Sequence, residues 1–103
     1  METAKELLIA KVASTENWRW EKADQYPTDS WNKRAAEELQ ALYVYLKSLN
    51  DDHPVFEWYN NWEDNIEYGW QVLDNFEMEL KSYGYQNSDV EPEEFIQDLI
   101  GGS

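Results

Sequence analysis

Among the residues able to do chemistry, carboxylates dominate: the 103-residue chain holds 22 Asp and Glu, one His and no Cys. Two carboxylates can serve as acid and nucleophile in glycoside hydrolysis, and Glu63 and Glu67 stand four apart, a spacing that puts both on one helical face. In so acidic a chain such pairs also arise by chance. No Gly-rich phosphate loop, G-x-S-x-G elbow or Ser/His/Asp set accompanies them. His53, beside Asp51 and Asp52, reads as a solvated interhelical turn rather than as a general base. A dimetal site in a helical bundle needs Glu-x-x-His on two helices, and zinc needs thiolates or further imidazoles, none of which one His can supply. No EF-hand loop is present for calcium. The sequence therefore predicts no catalytic residue, no metal ligand set, no cofactor and no enzymatic activity.

The carboxylates are unevenly spread. Residues 1–50 carry eight acids and seven bases, whereas residues 51–103 carry fourteen acids and one base, Lys81. Between Lys47 and Lys81 no Lys or Arg occurs in 33 residues. Like charges four apart destabilise a helix by about 0.2–0.5 kcal/mol per pair, and a face needing only solvation normally mixes both signs. A one-signed surface repels nucleic acid and anionic membranes and steers basic proteins toward itself. The expected partner is thus a basic protein, one that itself binds nucleic acid, with no direct contact to nucleic acid or membrane.

Helices must position these groups. The fold class expected is all-α: one small acidic domain spanning 1–103, a bundle or irregular pack of about four helices. Thr3 to Glu6 reads as a capping box that opens a helix over 3–13, with its extension through Trp18 and Trp20 left open. After Pro27, the stripe Trp31, Ala35, Leu39, Leu42, Leu46 and Leu49 predicts a helix over 30–49, capped by Thr28, Asp29 or Ser30. Asp52 is the expected cap of a long third helix over 54–83, with Pro54 in its first turn. Its seam runs Val55, Tyr59, Trp62, Ile66, Gly69, Leu73, Phe76, Leu80 and Tyr83 in steps of four and three. Gly69 on that seam implies a close approach to the backbone by a neighbouring helix or Trp ring, and Gly84 is placed as the C-cap. A loop over 85–88 and a short helix over 90–100 complete the reading, with Asp89 to Glu94 giving four carboxylates at its start.

Opposite the long seam lie Glu57, Asp64, Glu67 and Asp74, which on one straight helix would line a rod roughly 25 Å long. Carboxylates on such a rod can stand where a duplex presents phosphates. Trp31 and Trp62 fall on buried seams, while Trp18, Trp20, Trp58 and Trp70 fall partly off them and suit anchors at a protein interface. The candidate partner-binding residues are therefore Glu57, Glu63, Asp64, Glu67, Asp74, Glu77, Trp58 and Trp70.

The function expected is an acidic inhibitor that imitates nucleic acid and blocks the basic groove of a nuclease, a restriction or CRISPR effector, or another DNA-binding protein. In composition and size the chain resembles phage and mobile-element antidefence proteins, a resemblance that implies an anti-restriction or anti-CRISPR role. An immunity protein or antitoxin against a basic toxin is the alternative, followed by a small helical adaptor or subunit. The lack of Cys, and charges at Lys5, Glu6 and Lys11 that interrupt any signal-peptide core, make a cytoplasmic location the expectation. The closing Gly101, Gly102 and Ser103 are given no function.

Overall fold

A computed structural model describes residues 3–85 and 90–101. It is all-helical among those residues, with five helices in the order α1 (Ala4–Gln25), α2 (Ser30–Ser48), α3 (Pro54–Glu63), α4 (Gly69–Ser82) and α5 (Pro92–Gly101). The first helix takes the open extension and runs for 22 residues. Thr3 caps it by accepting the Glu6 amide at 3.2 Å, and Asp29 caps α2 by accepting the Trp31 amide at 3.1 Å. Each supplies an oxygen to an amide that a helix start leaves unpaired. The helix α1 packs most extensively against α2, while α3 touches α1, α4 and α5. Leu8, Val12, Leu39, Leu42, Leu46, Val55 and Leu80 are wholly enclosed at the centre.

The expected third helix over 54–83 is two helices, which makes five in place of about four. A straight helix of that length measures about 45 Å, more than the 41 Å longest dimension of the molecule. Turning the chain back lets α3 and α4 pack on each other. Phe76 of α4 then meets Trp58 and Tyr59 of α3 edge-on, at ring separations of 5.6 and 6.5 Å. The turn is built by Asn65, whose Oδ1 accepts the amides of Glu67 and Tyr68 at 3.1 and 2.9 Å. An Asn side chain competing in this way for nearby amides ends a helix. Gly69 begins α4 pressed against the Trp62 carbonyl, which a Cβ at this position would overlap. The close approach expected at Gly69 is thus made by backbone across the turn, not by a Trp ring.

Further expectations change. His53, not Asp52, caps α3: its Nδ1 accepts the Val55 amide at 3.1 Å, with Pro54 opening the helix as expected. Ile66, placed on the buried seam, is 95% exposed, because the turn carries it out of register. Trp31, also assigned to the core, is 37% exposed and lies beside Arg34, 5.2 Å from the guanidinium carbon to the ring centre. Its neighbour Asn32 is turned inward instead to hold Arg19. The C-cap of α4 is Tyr83, one residue before the expected Gly84; Gly84 follows at φ 74°, the left-handed geometry that favours glycine, and α5 begins at Pro92, two residues later than expected. The loop expected over 85–88 falls, beyond Tyr85, outside the described residues, as do Asp89, Gly102 and Ser103.

Candidate partner-binding surface

Five of the eight candidate residues, Glu57, Glu63, Asp64, Glu67 and Asp74, are exposed carboxylates. The break between α3 and α4 divides them, so they form no single rod. Glu57 shares a shallow cleft of about 430 Å³ with Asp51, Asp52 and the start of α1. Glu63 and Asp64 end α3, and Glu67 follows in the turn, so these three stay together through chain continuity. Asp74 faces solvent from α4. Glu77, half-buried, is drawn toward Lys11 at 3.9 Å and is the least available of the set.

The bases near the acidic surface are met by groups of the chain itself, and one of them, Lys5, lines the same cleft as Glu57. Lys81, the one base of the second half, has its ammonium 5.7 Å from the Trp18 ring on α1, where Lys22 also stands at 5.9 Å. Lys5 is taken up by Asp51 at 2.9 Å and by the Leu49 carbonyl at 2.7 Å. Glu63 and Glu77 also act on the core: burial, reinforced by these two carboxylates, pushes the Tyr59 phenol up to about 12. Burial likewise raises Tyr83, with Glu38 and Glu91 adding to it, and its hydroxyl donates to the Val90 carbonyl at 2.9 Å.

The two candidate tryptophans have different settings. Trp70, 61% exposed, belongs to a row with Ile66 and with Tyr68, 59% exposed, around the turn. Three large apolar side chains in solvent, interleaved in the chain with Glu67 and preceded by Glu63 and Asp64, are of the kind that partners cover. Trp58 is half-buried and lines a cleft of about 450 Å³ between α3, α4 and α5. Trp62, expected in the core, lines the same cleft with Phe76 and Phe95, and Glu79 and Asp98 also border it. Glu79 and Asp98 were not distinguishable in sequence, since the cleft exists only once three helices dock.

Arg19 is a buried functional group that sequence patterning did not single out. It is 6% exposed, and its guanidinium carbon lies 4.5 Å from the Trp18 ring centre and 4.6 Å from that of Tyr85. It donates to Asn32 Oδ1 at 2.8 Å and to the Lys81 carbonyl. Burial holds it below its ordinary pKa, against the opposing pull of Tyr85 and Asp29. The W-R-W run around it in sequence is the available signal, since a planar cation between rings is a stable arrangement.

Among the described residues no group of three or more His, Asp and Glu is arranged to hold a metal ion, and no helix is long and apolar enough to cross a membrane. Comparison with known proteins gives no matching family model, no similar curated protein and no similar solved structure.

Proposed function

We propose that this chain is an acidic inhibitor that binds the basic groove of a nucleic-acid-binding protein, its carboxylates taking the places of phosphates. One observation carries the reading: Glu57, Glu63, Asp64, Glu67 and Asp74 are all exposed in a stretch of 33 residues without Lys or Arg. Evenly signed exposure of this kind raises the local potential that basic grooves respond to. Division of the carboxylates between α3, the turn and α4 is compatible with the idea, because a duplex carries its phosphates in two rows flanking grooves about 12 and 6 Å wide. The exposed Ile66, Tyr68 and Trp70 give a specific partner apolar contacts that bulk charge cannot provide.

The same apolar row favours a second reading, an immunity protein that covers one site on a basic toxin. Salt and duplex DNA separate the two. With the chain immobilised and a host lysate passed over it, mimicry predicts capture of nucleic-acid-binding proteins that duplex DNA displaces and that rising salt releases steeply. Captured proteins that stay bound through high salt and through excess duplex would overturn the mimic reading.

A further inference from the structure

Two places in this fold show how it treats a cation beside aromatic rings. Arg19 lies between Trp18 and Tyr85, near Asp29, whose Oδ2 accepts the Tyr85 hydroxyl at 2.7 Å. Lys5 stands 5.5 Å from the Phe56 ring centre and pairs with Asp51, so the cleft between α1 and α3 is already served by a cation of the chain itself. The cleft between α3, α4 and α5 combines aromatic and acidic side chains: the half-buried Trp58 and Trp62 keep accessible surface, and the buried Phe76 and Phe95 back them. Trp58 and Phe76 meet edge-on at 5.6 Å, and Phe76 and Phe95 stack at 6.3 Å. Trp62, Glu79 and Asp98 complete the lining, and none of its described lining residues is basic.

We infer that this cleft is a binding site for an arginine side chain presented by the basic partner. The inference rests on the reading of the chain as a binder of a basic protein. Aromatic faces attract a cation within about 6 Å through the ring quadrupole, more strongly as water is excluded. A guanidinium fits better than an ammonium, because it is flat, weakly hydrated and able to stack on a ring while forking toward a carboxylate. Carboxylates at the border supply charge complementarity, and the aromatic wall takes the methylene stem that arginine buries. The cleft is open to solvent, and its volume of about 450 Å³ leaves room for one side chain.

The test uses the whole chain and a defined probe, the capped tripeptide Gly-Arg-Gly, beside its citrulline counterpart, which has the same shape and no charge. Indole N–H signals in NMR spectra report on each Trp, assigned through Trp58→Phe and Trp62→Phe. The arginine peptide is expected to shift the Trp58 and Trp62 signals saturably and to leave the exposed Trp31 and Trp70 unmoved, while the citrulline peptide does nothing. Glu79→Gln with Asp98→Asn, at exposed positions, should weaken the peptide about tenfold or more with the circular dichroism spectrum unchanged. Shifts spread over all exposed Trp residues without saturation, or equal binding of the citrulline peptide, would overturn the site. A variant carrying Glu57→Gln, Asp64→Asn, Glu67→Gln and Asp74→Asn keeps the failures apart. If it retains the peptide but the wild-type chain captures no DNA-displaceable protein, the mimic reading fails and the cleft stands. If DNA-displaceable capture is intact in the wild type and the peptide has no effect, the cleft fails alone.

Discussion

At Tyr59 a single phenol links the acidic surface to the core. Its ring is buried and packs edge-on against Phe76, while burial, Glu63 and Glu77 push its pKa up to about 12. An unfolded tyrosine ionises near 10, so between these values the unfolded chain has released a proton that the folded chain still holds. Stability falls with pH wherever the unfolded state binds fewer protons. The contribution of the neutral phenol is therefore intact below about pH 10 and is lost as pH rises through about 12. Tyr83, raised by burial beside Glu38 and Glu91, acts in the same direction. Alkaline unfolding followed by circular dichroism should coincide with the late part of the tyrosinate absorbance change, and Tyr59→Phe should move the midpoint to higher pH. A midpoint unmoved by Tyr59→Phe would show that the phenol does not couple to unfolding. Arg19 illustrates the opposite economy at the same scale: a charge is kept inside beside two rings, with two oxygens accepting hydrogen bonds from its terminal nitrogens while its Nε–H is left without a partner among the described residues.

At the scale of elements, the turn from Asp64 to Tyr68 decides how the acidic groups are distributed, and Gly69 decides the turn. A Cβ there meets the backbone carbonyl of Trp62, which has no flexible end to move aside. Gly69→Ala should therefore destabilise the fold by about 1–3 kcal/mol, the range for overpacking, although alanine is the better helix former by about 1 kcal/mol. Gly101→Ala, with nothing within 4 Å of the added carbon, is the control and should be neutral or slightly stabilising. Urea denaturation of both variants measures the contrast, and equal stability would mean that the turn is held elsewhere. This turn also marks the limit of what the sequence revealed. The cap at Thr3 was legible, and Asp29 stood among three candidates, because each acts on amides within a few residues; the C-cap of α4 lies at Tyr83, one residue before the expected Gly84. The pattern over 54–83 reads as one helix because the four-and-three stepping continues through Ile66 by coincidence, whereas Asp64, Asn65 and Gly69 all disfavour a helix interior. The exposed carboxylates were legible from their spacing against Tyr59 and Phe76. The aromatic cleft was not, since Trp58, Phe76 and Phe95 come from three helices whose docking no local period encodes.

Charge belongs to the molecule as a whole, with one acid in excess in residues 1–50 and thirteen in residues 51–103. Lys5 and Lys11 reach Asp51 and Glu77 across this boundary, and Lys81 stands beside Trp18 of α1. Glu57, Asp64, Glu67 and Asp74 are exposed and form none of the ion pairs found between described residues. Acting through summed potential, each should matter little alone: an exposed charge pair is worth about 0.2–1 kcal/mol, or about 1.4- to 5-fold in affinity. All four together amount to about 0.8–4 kcal/mol, a loss of about 4- to 700-fold. Their neutralisation to Asn and Gln removes repulsion without opening the core, so the melting temperature should hold or rise slightly. Binding and stability then move in different directions, which a merely structural role for these residues would not produce. The measurement is affinity for a captured partner against salt concentration, for the wild type, the four single variants and the quadruple variant. A quadruple variant with wild-type affinity and an unchanged salt slope would remove the carboxylates from the interface and leave Ile66, Tyr68 and Trp70 to carry it.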